Sequence, residues 1–369
     1  MGIHERLGLS KAINACGGYT PLGVSRSSPA VAEAVAAALQ EFFVMDELAD
    51  HASESIAKAT GAEAAAVVHC TAAATTIAVA AAMTGTAADR IAQLPDTRDL
   101  PNHVVLPAGH AIDYGQSNLQ AVRLAGAYVV PAGSEQRCDL DDLANALAGP
   151  DVACLLLVSS RLVHQGEPVD LAGAVTAAHR RGVPAIIDGA AQFPRVDELL
   201  ATGADAVLLS GQKYLASPTA GVVIGTRPFV QAVRAQDKGI GRAMKPTKEA
   251  VVGVLAALDE WQTRDRDKWF ADEAAKVARF AEEAAKIPGL EARVRPDPAG
   301  LPVSRVVLVA QGIDATTLAN ALRASNIHVM TNKGELVLEL VSLNEDELQT
   351  ILQALARQGF ANGPGGFAE

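Results

Sequence analysis

Apolar residues recur along this chain in two rhythms. Through the first two-thirds, short runs that are apolar on successive residues alternate with longer alanine-rich segments. Seven runs predict strands: Val67–Cys70, His103–Leu106, Tyr128–Val130, Ala153–Ser159, Ala185–Ile187, Ala206–Leu209 and Ala220–Ile224. Several are apolar throughout rather than on alternate residues, which suits strands covered on both faces. The segments between them predict helices such as Asp139–Leu147 and Leu171–Arg181, the latter stopped by Gly182 and Pro184. Strand–helix alternation of this kind predicts an α/β fold with an open, mainly parallel sheet. Its ligand site then lies at the carboxyl ends of the strands.

Two further stretches flank this lobe. Ser28, with Pro29 behind it, caps a helix predicted to run to about Phe43. After the seventh strand comes a basic turn, GIGRAMKPTKE, and a long helical stretch in which Val251, Val254, Leu255 and Leu258 share one face. From about Pro302 to Gln358 the pattern gives a strand at Val303–Val309, a helix at Ala315–Ser325, a strand at Glu335–Val341 and a last helix. These make a small α+β lobe. The expected division is an arm and helix over 1–45, a large domain over 46–245, and the long helix with the small C-terminal domain over 246–369. The terminal NGPGGFAE is expected to fray.

Composition narrows the class. At 369 residues there is chain enough for two cores. The 31 basic and 42 acidic residues argue against a general binder of nucleic acid or anionic membranes. Cys16, Cys70, Cys138 and Cys154 show no CxxC pairing, so a reduced, cytoplasmic chain without disulfides or a metal site is expected. MGIHERLGLS has charges but no apolar core behind them, and Arg6 breaks the myristoylation pattern. The weakly polar run Ala62–Ala88 is mostly alanine and is interrupted by Glu63 and His69, so it does not read as a bilayer span.

The chemistry gathers at two strand ends. Asp188 closes the strand Ala185–Ile187, and Lys213 stands in the loop after Ala206–Leu209. Singly they read as a helix cap and a loop lysine. Together, in this order, they match the needs of pyridoxal phosphate: the lysine holds the aldehyde as a Schiff base, and the carboxylate keeps the pyridine nitrogen protonated. A phosphate needs backbone N–H groups at a helix start, and Thr71, Ala72 and Ala73 open one after the first strand. Ser210 and Gln212, flanking the lysine, are candidate further donors. His110, in the strand-end loop LPAGHAIDYG, is a candidate to stack on the ring and guide protons; Asp113 and Tyr114 share its loop. Arg242 and Lys245 in the basic turn suit an anionic substrate. Arg161, His164 and Gln165, after the fourth strand, are further candidates. Cys16 and Cys70 read as small core or loop residues.

Five segments carry a family resemblance: INACGGYTPLGVS, FFVMDELADHASESIAKATGAEAA, GHAIDYG, the stretch from Asp188 to Gly221, and KGIGRAMKPTKEAVVGVLAALDE. From Ile13 to about Trp261 the chain resembles the fold-type I pyridoxal-phosphate enzymes, in the branch with bacterial selenocysteine synthase and D-glucosaminate-6-phosphate ammonia-lyase. The resemblance implies an aspartate-aminotransferase-like large domain with a mainly parallel seven-stranded sheet, plus a small α+β C-terminal domain. It implies Lys213 as the Schiff-base lysine, Asp188 as the pyridinium partner, the Thr71–Ala73 turn as part of the phosphate cup and His110 at the ring face. It also implies a homodimer or larger homo-oligomer with shared active sites, which the segment from Phe43 to Leu48 would help to build. The chain departs from the family in its CTAAATT turn, where serine or glycine is usual, and in Gln192, where an acid is common. The last strand, LELVSL, has no arginine to anchor a carboxylate.

The expected reaction is elimination of ammonia from a 2-amino-3-hydroxy acid resembling D-glucosaminate 6-phosphate. Lys213 takes the Cα proton, and His110 or a neighbour gives one to the leaving hydroxyl. A racemase or aminotransferase needs the same lysine. A tRNA-acting enzyme is disfavoured by the acidic chain, and a non-catalytic metabolite-binding scaffold by the intact Lys213 and Asp188.

Overall fold

Why the seven runs form one sheet is visible in their burial. The computed structural model describes residues 2–163 and 169–360. Contacts divide the chain into two units, Ser27–Thr263 and Met1–Arg26 with Arg264–Glu369. The chain opens with a short helix α1 (Ile3–Leu7) and a two-residue strand β1 (Ile13–Asn14), both in the second of these.

The larger unit begins with α2 (Pro29–Leu39) and α3 (Met45–Thr60). Then follow β2 (Ala64–Val68), α4 (Thr71–Thr84), α5 (Ala88–Gln93), β3 (His103–Pro107), α6 (Leu119–Leu124) and β4 (Tyr128–Ala132). Next come α7 (Leu140–Leu147), β5 (Val152–Val158), α8 (Leu171–His179), β6 (Ala185–Asp188) and α9 (Val196–Ala201). The unit closes with β7 (Ala206–Ser210), β8 (Gly221–Gly225), α10 (Arg227–Ala235) and α11 (Lys248–Thr263). The seven strands lie in the order β2-β8-β7-β6-β5-β3-β4. All pair in parallel except β8, which is antiparallel to both neighbours. The carboxyl ends of the other six strands therefore share one edge with the start of β8.

Alternate residues of the central strands face opposite layers. Leu156, Ile186, Leu208 and Val223 join α4, α6 and α10 in one apolar cluster. α4 fits close to the sheet because its buried side is mostly alanine. α7 and α8 pack on β3 through β6. Ser28 caps α2 as expected, accepting from the Val31 N–H. The helix stops at Leu39 rather than near Phe43, because the aromatic and β-branched run Phe42–Val44 favours extended backbone. Lys248 donates to the Leu39 and Glu41 carbonyls at that end. α3 is absent from the predicted helices: its buried stripe is one residue per turn, Leu48, Ala52, Ile56 and Thr60, too narrow to register as a face.

The smaller unit continues with α12 (Arg266–Ala285), β9 (Leu290–Arg295), β10 (Arg305–Ala310), α13 (Ala315–Ala324), β11 (Ile327–His328), β12 (Met330–Asn332), β13 (Glu335–Leu338) and α14 (Glu345–Ala356). An antiparallel sheet in the order β12-β13-β10-β9 forms its floor, and β1 pairs with β11. The expected strands and helices are present. β9 was not expected, since its middle residues carry charge and exposure. Past β13 an acid stands where an arginine was sought: Glu339 pairs with buried Arg305 of β10 at 3.3 Å, and Arg305 reaches Asp297 at 2.7 Å.

The sheet's packing sets a stability expectation. Leu156 is 1% exposed on β5, whereas Leu124 at the end of α6 is 59% exposed. Leu156→Ala should cost about 2–5 kcal/mol and Leu124→Ala less than about 0.5 kcal/mol. Urea unfolding midpoints at a common slope measure both.

Candidate active site

Backbone ladders deliver Asp188 and Lys213 to the same edge. Asp188 is the last residue of β6, paired with Val158 on one side and Leu208 on the other. Its carbonyl accepts from the Ser159 N–H at 2.9 Å, and the Gly189 N–H donates to the Leu208 carbonyl at 2.9 Å. One strand over, β7 ends at Ser210, whose N–H donates to the Ala190 carbonyl at 3.1 Å. Lys213 follows in a loop tied at both ends. The Gly211 N–H donates to the Ala220 carbonyl at 2.9 Å, and the Ser217 N–H to the Gly211 carbonyl at 2.9 Å. The Ala216 N–H closes on the carbonyl of Lys213 itself at 3.1 Å, at the expense of a left-handed φ of 57° at Ala216. A Cβ on Gly211 would stand 2.5 Å from the Ser217 hydroxyl oxygen, so the loop folds this tightly only around glycine.

The electrostatics of this edge centre on Asp188. Burial pushes its carboxyl above the usual carboxylate range; one hydrogen bond from the Ala190 N–H and the charge of Lys213 pull the other way. A buried acid with a cation nearby, still short of full compensation, is a receptor for a second positive group. Tyr114 lies within range of the same field. Burial raises its phenol most, Gln116 opposes this by hydrogen bonding, and Asp188, Cys70 and Asp113 add to the rise.

The α4 N-terminus meets the edge from the β2 side. Cys70, not Thr71, is the N-cap residue, and its side chain makes no capping bond. Thr71 Oγ1 donates to the Leu209 carbonyl at 3.4 Å, which ties the turn to the end of β7. The Cys70 carbonyl lies against Gly221, where a Cβ would stand 2.5 Å from its oxygen. Thr71, Ala72 and Ala73 thus present the first-turn N–H groups of a helix next to Ser210 and the Lys213 loop.

Other candidates fall at differing distances from this centre. His110 is fully buried after β3, with Nδ1 accepting from the Val158 N–H at 2.9 Å. Gln212 and Lys213 are half-buried. Asp113 is exposed and occupied within its own turn, accepting from the Gly115 N–H at 2.8 Å. Arg161 is exposed just past β5. His164 and Gln165 lie outside the described residues. The basic turn packs beside the segment linking β2 to α4, since the His69 N–H donates to the Met244 carbonyl at 2.9 Å. Arg242 is exposed, with no ion pair among the described residues. Lys245 faces Asp237 at 3.7 Å. Two residues that touch these candidates carry no sequence signal: Gly221, and Asn118, whose Nδ2 donates to the His110 carbonyl at 3.0 Å. Gly221 matters only through its contact with Cys70, a pairing of residues far apart in the chain.

The sequence pattern of the beta-eliminating lyase family matches residues 23–297. This chain belongs to that family. Over 346 residues it is 34% identical to the D-glucosaminate-6-phosphate ammonia lyase of Salmonella typhimurium, covering 93% of this chain and 92% of that one. Over 365 residues it is 35% identical to the 5'-C-glycyluridine monooxygenase-decarboxylase of a Streptomyces species, covering 95% and 90%. A solved structure of D-glucosaminate-6-phosphate ammonia-lyase matches with a TM-score of 0.87 and 33% identity over 97% of this chain and 98% of the other. The fold is therefore that of the fold-type I enzymes, and the protein is a pyridoxal-phosphate-dependent β-eliminating lyase.

The residues present fit that cofactor. The undercompensated Asp188 suits a protonated ring nitrogen, the uncapped α4 start suits a phosphate, and His110 Nε2 is buried with no partner among the described residues. Among those residues no group of three or more His, Cys, Asp or Glu is placed to hold a metal ion, and no helix is long and apolar enough to cross a membrane. Gly221→Ala should leave the fold intact but displace the Cys70 carbonyl, lowering cofactor affinity by about tenfold or more. Titration of apoprotein with pyridoxal phosphate, followed by absorbance, measures this.

Proposed function

We propose that the protein eliminates ammonia from a 2-amino-3-hydroxy acid of the D-glucosaminate-6-phosphate type, giving a 2-keto acid. The observation that carries this reading is the buried carboxylate of Asp188 under the influence of Lys213 at adjacent strand ends. When bound, the cofactor supplies an electron sink for the pair released at Cα. Lys213 is the residue that anchors its aldehyde and then, as a free amine, takes the Cα proton. Asp188 holds the positive ring nitrogen, and the neutralised pair explains why so buried an acid is tolerated. Thr71, Ala72 and Ala73 bind phosphate through backbone N–H groups, with Ser210 and Gln212 beside them. His110 covers the ring.

Arg242 and Lys245 are the proposed contacts for an anionic tail on the substrate, with Arg161, His164 and Asp113 as further candidates. Support comes from the exposed guanidinium of Arg242 in a turn joined to the strand that leads into the phosphate cup. The proposed large domain at 46–245 has the same centre. We further propose a cytoplasmic homodimer. Phe42 is fully exposed and Val44 is 62% exposed in the link between α2 and α3, an apolar run that a second copy would cover. If so, Phe42→Asp should lower the mass found by light scattering in solution; an unchanged mass assigns the run no part in assembly.

A yellow preparation whose cofactor borohydride fixes on the peptide containing Lys213 is the expected behaviour. Lys213→Ala should lose that fixation and slow Cα proton exchange in deuterated water by about 10²-fold or more. A panel of D- and L-amino acids and β-hydroxy amino acids, with and without a terminal phosphate, then assigns the substrate. Ammonia with a keto acid is the expected product. Inverted configuration without ammonia would replace the reading with a racemase. The Streptomyces relative, named as a monooxygenase-decarboxylase, is matched equally well. Oxygen uptake and carbon dioxide release are accordingly followed in the same panel, and either without ammonia would overturn elimination as the physiological reaction.

A further inference from the structure

His110 stands where the parallel ladder between β3 and β5 runs out. The Ser159 N–H turns toward β6, donating to Asp188, so strand alternation turns the Val158 N–H toward the β3 side. β3 has already ended at Pro107, and the chain has entered the tight turn Ala108–His110. The imidazole supplies the acceptor that the ladder lacks, with Nδ1 receiving the Val158 N–H at 2.9 Å. A ring nitrogen that accepts an N–H has its lone pair free, so the proton of the neutral ring resides on Nε2. The backbone of His110 is fixed as well: Asn118 Nδ2 donates to its carbonyl at 3.0 Å, and the Asn118 N–H donates to the Ile112 carbonyl at 3.1 Å.

Protonating this ring would set Nδ1–H against the Val158 N–H, two donors face to face, and would place a charge where no water reaches it. The side chains packed with Val158 are those of Ile112 and Val163. Acids lie close in the fold, Asp188 as the β6 partner of Val158 and Asp113 on the His110 loop. Neither offsets the loss of water: burial is the sole cause that holds the imidazole down at about 4. Nε2, meanwhile, is buried without a partner among the described residues. A buried N–H in that state is costly, and a ligand oxygen relieves it.

We propose that His110 is a fixed, neutral hydrogen-bond donor that gives its Nε2–H to an oxygen of the bound cofactor or substrate, and that it carries no proton during turnover. The inference rests on the site assigned above and narrows it. The proton for a leaving hydroxyl then comes from a group other than His110.

Histidine labelled with 15N and long-range proton–nitrogen correlation test the first part on apoprotein. Between about pH 5 and 8 the His110 nitrogens should keep the pattern of the neutral Nε2–H form. An Nδ1–H form, or titration inside that range, overturns the proposal. Pyridoxal phosphate is then added, followed by α-methylserine, which has no Cα proton to lose. A shift of the Nε2–H resonance with the cofactor alone places the acceptor on the cofactor; a shift only with the amino acid places it on the substrate. No shift with either overturns the donor role. Absorbance records cofactor uptake independently, so a protein that never takes up the cofactor refutes the site and not the locked ring.

His110→Phe keeps the ring and loses both nitrogens. It should lower kcat/KM by about tenfold while leaving both limbs of the pH–rate profile in place, and disappearance of a limb would identify a proton carrier. Stability gives a readout free of activity. Because the folded-state pKa is depressed, the contribution of the neutral ring is present above the unfolded value of 6.5 and is lost as pH falls toward about 4. The wild type should show this acid-side decline and His110→Phe should lack it; equal declines in both overturn the buried neutral ring.

Discussion

The half-buried carboxylate of Asp188, desolvated and only partly compensated, is the constraint on which this molecule turns. Asp188 stands at the end of a strand flanked by two others, where burial pushes its carboxyl up and a single backbone N–H and the Lys213 charge pull it back. Such a group is expensive in an empty protein and favourable beside a cation. The surrounding lobe brings the acid and the lysine loop to one edge of the sheet, where the proposed cofactor ring would lie between them.

That placement comes from backbone. The strands β5, β6 and β7 hold Asp188 by main-chain pairing, and the Lys213 loop is tied through Gly211, Ser217 and Ala220. Small residues make the tight approaches possible. Gly211 accommodates the Ser217 hydroxyl, and Gly221 accommodates the Cys70 carbonyl at the start of α4. Arg242 and Lys245 are exposed in a turn that Ile240 and Met244 anchor on the apolar core and that the His69 N–H bonds through the Met244 carbonyl. On the proposed assignment two tasks are separated: strand ends would hold the cofactor, and an exposed turn would face the substrate.

His110 shows how the same scaffold selects a protonation state. A side chain is used where a strand has run out, and its nitrogen takes the place of a carbonyl. The tautomer is then a consequence of sheet geometry rather than of a neighbouring charge.

Much of this was legible in the chain itself. Runs of β-branched and aliphatic residues marked the central strands, because burial on both faces leaves no room for alternation, whereas β2 begins three residues before its predicted start, in the alanines Ala64–Ala66 that give no strand signal. Asp188 and Lys213 were readable because each falls at a strand end, where the physics of parallel sheets puts ligands. α3 escaped because one buried residue per turn is a faint stripe, and β9 because its charges face outward. The extent of α2 was misjudged because the low helix propensity of Phe42–Val44 was given too little weight against the alanine-rich run before it. Residue types and local order thus determined the fold class and the cofactor class, and pointed to Asp188 and Lys213 as the residues proposed to serve it. Tertiary structure alone decided the contact of Gly221 with Cys70, the raised carboxyl of Asp188 and the neutral ring of His110. Each of these depends on desolvation or on an approach between distant segments, and neither exists until the sheet has closed.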